Sequence, residues 1–149
     1  MSDSTKSARV AVPLPNAGAY ISGDAIGGIL TLAGIGLAGG ILSTLDLLDA
    51  GQSGLVDIVL FSEAPATPIV DNAPFSLAAG AVERSKVLTI LTFATAYTAL
   101  GSGNGLTRVT TGIPFQFGAT PDGNLYAQLL SRDSKTYATL DLILSAGRT

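Results

Sequence analysis

Several short runs of the chain alternate apolar and polar positions at period two, the spacing of a strand with one covered face. In residues 140–144, Leu140, Leu142 and Leu144 fall on one side and Asp141 and Ile143 on the other. Residues 87–97 are rich in Thr, β-branched and aromatic side chains and predict a long strand. In residues 55–61 both faces are largely apolar, which predicts a central strand or one covered by a second layer. Residues 42–48 and 55–61 flank a short Gly-containing loop that includes Gln52, Ser53 and Gly54, and predict a β-hairpin. A second hairpin is predicted from residues 125–131 and 136–144 around Arg132-Asp133-Ser134-Lys135. Residues 106–117 predict a strand interrupted near Gly112 and Pro114, because Pro cannot donate to a ladder. Thr120-Pro121-Asp122-Gly123 suits a type I turn. The one helix signal is short: Ser76 as a cap for Leu77-Ala78-Ala79.

The expected fold is therefore all-β: an antiparallel β-sandwich of roughly eight strands, with the jelly roll as candidate topology and at most one short helix. Pro13 and Pro15 bias the amino terminus toward extended backbone. The expected organisation is an extended arm over residues 1–18 and a single sandwich domain over residues 19–149. No apolar run of signal-peptide length follows the polar residues 1–9, so the expected location is a cytoplasm.

Composition narrows the chemistry. The 149 residues are 47% hydrophobic but only 13% charged, with a net charge of −3. Such a chain is no disordered tail, and it has no basic excess to neutralise phosphates, so no nucleic-acid partner is expected. His, Cys and Trp are absent. Imidazole acid–base chemistry, thiol nucleophiles and the usual zinc, haem and iron–sulfur ligands go with them. No enzyme activity and no cofactor are expected.

Three features invite a sharper function and do not sustain it. Residues 25–45 carry no charge and are long enough to span a bilayer, but six glycines and flanks of Asp24 and Asp46 favour two buried strands around a turn. Gly34-Ile35-Gly36-Leu37-Ala38-Gly39 is a literal dinucleotide fingerprint with Asp57 at about the ribose-binding distance. Yet the chain continues as strand after Asp57, without strand–helix alternation. Asp46, Asp49 and Asp57 offer oxygen ligands for calcium, but without the spacing of a known loop, so no metal site is assigned.

The sharpest local phrase is Tyr20-Ile-Ser-Gly-Asp24-Ala-Ile-Gly27-Gly28, after a short polar arm. Strand-like runs, Leu60-Phe61-Ser62, a Pro-rich loop and Asp71-Asn72-Ala73-Pro74-Phe75 follow it. This order resembles small virion proteins of tailed bacteriophages, of the capsid decoration or cement type. The resemblance implies an all-β module on the outside of a capsid, bound to the major capsid protein and to copies of itself. It implies assembly in the host cytoplasm and residence in the virion. Val10, Pro13, Pro15, Tyr20, Ile35 and Leu37 are the candidate partner contacts on the arm, the phrase and the uncharged loop. A tail or head–tail connector component, or a carbohydrate- or cell-surface-binding sandwich, are the alternatives.

Overall fold

The computed structural model describes residues 6–51, 55–78 and 80–147. In chain order the elements are β1 (Lys6–Ala11), β2 (Ala19–Tyr20), β3 (Ala25–Leu32), β4 (Gly40–Asp49), β5 (Val56–Phe61), α1 (Ala81–Ser85), β6 (Val87–Thr92), β7 (Thr98–Gly101), β8 (Asn104–Arg108), β9 (Phe115–Phe117), β10 (Leu125–Ser131), β11 (Lys135–Thr136) and β12 (Leu140–Gly147). One sheet runs β1-β12-β4-β8-β7, with β9 also on β4; the other runs β3-β10-β5-β6. The partners nest: β1 with β12, β2 with β11, β3 with β10, β4 with β8 and β9, β5 with β6, all antiparallel. A long two-stranded ribbon rolled on itself has this nesting, and the rolled edges then meet as β4·β12 and β5·β10. That is jelly-roll connectivity.

The rolling overturns both predicted hairpins. β4 and β5 are consecutive but lie in different sheets, as do β10 and β12. The segments between them therefore join strands of different sheets instead of closing hairpins; Gln52, Ser53 and Gly54 lie outside the described residues. Residues 87–97 do not form one strand either. β6 ends at Thr92, Phe93 bridges to Val109, and the chain passes from one sheet to the other before β7. The break near Gly112 and Pro114 separates β8 from β9 as expected. The Gly123 N–H donates to Thr120 O at 3.2 Å, closing the predicted turn. The helix begins at Ala81, after Gly80 and with no side-chain cap, rather than at Leu77; Ala79 lies outside the described residues.

The core lies between the sheets. Leu45, Leu47, Leu142 and Leu144 face Leu30, Leu32, Ile58, Leu60 and Leu129 across it, all buried. Each such side chain contributes about 1.5–3 kcal/mol relative to exposure. The alternation read in residues 140–144 is the one observed: the three leucines point inward. The second layer expected over β5 also exists. Residues 62–78, after β5, form a strap across the outside of the smaller sheet. Phe75 and Leu77 cover Val59, Phe61 and Tyr126 there. The strap is stitched to the start of β3 by Ala25 N–H to Ala73 O, Asn72 N–H to Ala25 O and Phe75 N–H to Gly23 O, each 2.9 Å.

The amino-terminal stretch is an integral strand from Lys6 onward. β1 lies along β12 from Lys6↔Ala146 to Ala11↔Asp141.

Candidate interaction surface

With the smaller sheet strapped, the outside of the larger sheet is the broad open face. Cross-strand register fixes its composition, because directly opposed residues share a face. One row reads Arg9, Ile143, Asp46, Arg108; the next reads Ala11, Asp141, Leu48, Leu106, Thr98. Ile143, Leu48 and Leu106 form a half-buried apolar centre. Ion pairs flank it. Arg108 Nε and Nη2 donate to Asp46 Oδ1 and Oδ2 at 2.7 and 2.9 Å, and Arg9 Nη2 donates to Asp141 Oδ2 at 2.9 Å. Hydrogen bonding to Asp46 raises the Arg108 pKa further. The arginine side chains are 58% and 60% exposed, their carboxylate partners 10% and 17%. The tips of the face are thus cationic and the carboxylates recessed. Beside Arg108 a half-open groove of about 330 Å³ is lined by Ala94, Ala96, Thr98, Leu106, Arg108 and Thr110.

The residues singled out from sequence fall elsewhere. Val10 is on β1, but its side chain packs against the core. Pro13 and Pro15 are exposed just beyond β1, and Leu37 is exposed at the tip of the β3–β4 turn. Tyr20 and Ile35 need correction as contacts: both are buried in the core. Tyr20 points inward because its hydroxyl has a buried partner, Asp71. Ile35 fills the end of the sandwich beneath the turn. The face residues Arg9, Asp46, Arg108, Asp141 and Ile143 were missed. The outward Asp141 and Ile143 were visible in the alternation, but nothing local says that Asp46 meets Arg108, 62 positions away.

The fingerprint-like glycines close a turn. Gly34 N–H donates to Asn124 Oδ1 at 3.0 Å, Gly36 N–H donates to Gly123 O at 3.1 Å, and Lys6 Nζ donates to Gly34 O at 2.9 Å. The N–H groups a pyrophosphate would need are occupied, and strand β4 follows instead of a helix. The uncharged stretch 25–45 is β3, this turn and the first part of β4; among the described residues no helix is long and apolar enough to cross a membrane.

The three carboxylates considered for calcium diverge. Asp46 takes Arg108. Asp49, fully buried, accepts from Lys135 Nζ at 2.7 Å and from Gly51 N–H at 2.8 Å. Asp57 is on the other sheet and accepts from Thr92 Oγ1 at 2.7 Å and from Arg132 at 3.3 Å. Among the described residues no three metal-ligating side chains come together.

No protein-family model matches the chain, and no significant match to it is found among curated proteins.

Proposed function

We propose that this protein is a structural virion protein that binds the outer surface of a bacteriophage capsid and stabilises the shell through protein–protein contacts. The observation that carries the reading is the open face of the larger sheet, with an apolar centre at Ile143, Leu48 and Leu106 and exposed guanidinium tips at either side. An apolar centre within a polar, charged rim is the anatomy of a protein–protein interface. The order of phrases from Tyr20 to Phe75 supports the phage assignment by resemblance, and the jelly roll is a fold that capsid proteins use. On this reading the major capsid protein is the partner, and the virion surface is where the protein works. The test is to add the purified chain to phage heads lacking it and measure saturable binding and the temperature of shell rupture. Binding with a raised rupture temperature is expected; no binding overturns the reading. The same measurement on tails separates a tail or connector component.

The groove beside Arg108 favours a second reading, a glycan-binding module. Thr98, Thr110 and Arg108 are among the residues that line it, and lectins also use jelly rolls. Glycan-array binding that Thr98→Val abolishes would support it.

A further inference from the structure

We infer that the buried ion pair of Lys135 and Asp49 is the precursor of a covalent cross-link, in which the Lys135 amine condenses with the Asp49 carboxyl to leave an amide between β11 and the end of β4. The inference concerns the chain's own chemistry and does not depend on the capsid reading. Among the described residues, lysine–carboxylate pairs occur at Lys86–Glu83 and Lys135–Asp49. The other ion pairs use arginine, whose delocalised guanidinium is no nucleophile. Glu83 lies three positions from its lysine, and its carboxylate is already held by the Ala66 and Thr67 N–H groups and the Thr67 hydroxyl. Lys135 differs on both counts. Its Nζ lies 2.7 Å from Asp49 Oδ2, across 86 positions of sequence, and Asp49 is fully buried while the lysine side chain is 17% exposed.

The neighbours complete the site. Arg132, Ser134 and Thr136 are exposed, whereas Asp133, Lys135 and Tyr137 turn inward. Alternate side chains of an extended segment share one face. Tyr137 shields the pair from water, its ring centroid 5.1 Å from Lys135 Nζ. After the larger effect of burial, the charges of Asp133 and Asp49 both raise the pKa of the Tyr137 phenol, so both carboxylates face the same side chain. Asp133 Oδ2 accepts from the Leu55 N–H at 3.2 Å, but Oδ1 is buried and has no partner among the described residues. That free oxygen, on the same face as the amine, is placed to take its proton.

The step balances without a cofactor. The ammonium gives one proton to Asp133 Oδ1, and the freed lone pair attacks Asp49 Cγ. That carbon is one bond beyond the contacted oxygen, so a small rotation brings it within the roughly 3–3.5 Å that reacting atoms need. The Gly51 N–H, 2.8 Å from Asp49 Oδ1, stabilises the charge that develops on that oxygen. The Nζ–Cγ bond forms and the Cγ–Oδ2 bond breaks. Oδ2 leaves as water, with one proton from Nζ and one returned by Asp133; the last ammonium proton stays on the amide nitrogen. The product exchanges two buried charges for a neutral amide and so removes their desolvation penalty. Exclusion of water then protects the amide from hydrolysis.

The test is the intact mass of the full chain, incubated folded at neutral pH and then denatured. The expected mass is below that of the sequence by one water, about 18 Da, and tandem spectra are expected to show the peptides holding residues 49 and 135 joined through the lysine amine. Lys135→Arg keeps the positive charge but cannot form the amide, and is expected to have the full mass and a lower urea midpoint. Asp133→Asn leaves Lys135 and Asp49 in place and is expected to close the link at least about tenfold more slowly. A full sequence mass in the unsubstituted chain overturns the inference, and this readout depends on no variant folding. A water loss that persists in Lys135→Arg also overturns it, because the dehydration then lies elsewhere, as in a succinimide at Asp122-Gly123. An unchanged rate in Asp133→Asn overturns the assignment of the proton acceptor.

Discussion

The Tyr20 hydroxyl donates to Asp71 Oδ1 at 2.7 Å, joining segments 51 positions apart. The same oxygen accepts from the Gly27 N–H at 2.7 Å, and Oδ2 accepts from the Asn16 N–H at 2.9 Å. One buried carboxylate thus fastens the β1–β2 connection, β2, β3 and the strap together. Asp71→Ala strands these donors. With about 1–3 kcal/mol for each buried donor left unmade, a loss of about 3 kcal/mol or more is expected. It would be read as a lower urea midpoint at unchanged slope. Asp71→Asn, which keeps an acceptor oxygen, should lose less.

Tyr137 packs edge-on against Tyr20 with ring centroids 5.7 Å apart, and Lys135 Nζ lies 5.1 Å from its ring centroid. Among the described residues its buried hydroxyl has no hydrogen-bond partner. The two phenols should therefore respond oppositely. Tyr20→Phe is expected to cost about 1 kcal/mol, and Tyr137→Phe to be neutral or stabilising by up to about 1 kcal/mol. Both phenols hold their protons more tightly when folded. Burial is the main cause in each, joined by the Asp71 bond for Tyr20 and by the charges of Asp133 and Asp49 for Tyr137. The unfolded chain ionises them near 10.0. Stability is then intact below that pH and falls as pH rises through it. Urea midpoints measured from pH 8 to 11 should show the fall, and the double Phe variant should flatten it.

Glu83 sets the acid limb. Lys86 Nζ at 2.8 Å, the Ala66 and Thr67 N–H groups at 3.0 Å each, and the Thr67 hydroxyl at 2.7 Å all bond its carboxylate, which titrates at about 2. Its ordinary value is 4.5, so the folded state favours the ionised form. The contribution is present above pH 4.5 and is lost as pH falls toward 2. Glu83→Gln should be less stable at neutral pH and less sensitive to acid between those values, as followed by urea titrations at stepped pH.

A Cβ on Gly36 would lie 2.2 Å from Thr120 Oγ1 and 2.9 Å from Asn124 O, whereas one on Gly28 would meet nothing within 4 Å. Gly36→Ala is expected to cost about 1–3 kcal/mol by overpacking. Gly28→Ala should fall within about 0.5 kcal/mol of neutral. Nicotinamide cofactors should bind neither variant nor the unsubstituted chain by calorimetry.

Local pattern carried the strands and missed their partners. Leu140, Leu142 and Leu144 declare their inward face because period two is a property of neighbours in sequence. The doubly apolar run from Val56 to Phe61 declares a second layer for the same reason. Pairing in a rolled ribbon is decided at long range. β4 chooses β12 over the adjacent β5 because rolling brings the two edges of the ribbon together, and no short motif encodes that choice. The same holds for the interaction face. Asp46 reads in sequence as one more hairpin-end carboxylate, and only the β4·β8 register turns it into Arg108's partner. Tyr20 was misread because an aromatic with a polar tip suits an interface or a buried hydrogen bond equally, and the deciding acceptor, Asp71, lies on the strap.

The open face makes the most direct claim on function, and its arginines can be substituted one at a time. Ion pairs with one partner more than half exposed contribute about 0–1 kcal/mol each. Arg9→Ala should therefore leave the urea midpoint nearly unchanged, whereas Arg108→Ala leaves the recessed Asp46 without its guanidinium and should cost about 1–3 kcal/mol. If the guanidinium tips meet carboxylates on the shell, the double variant of Arg9→Ala with Arg108→Ala should bind heads at least about tenfold more weakly, the effect of losing about 1.4 kcal/mol. The remaining binding should respond less to salt, because exposed charges are what salt screens. Ile143→Ser tests the apolar centre in the same assay and should weaken binding without changing its salt dependence. Unaltered head binding by both variants would exclude this face as the docking surface while leaving the fold untouched.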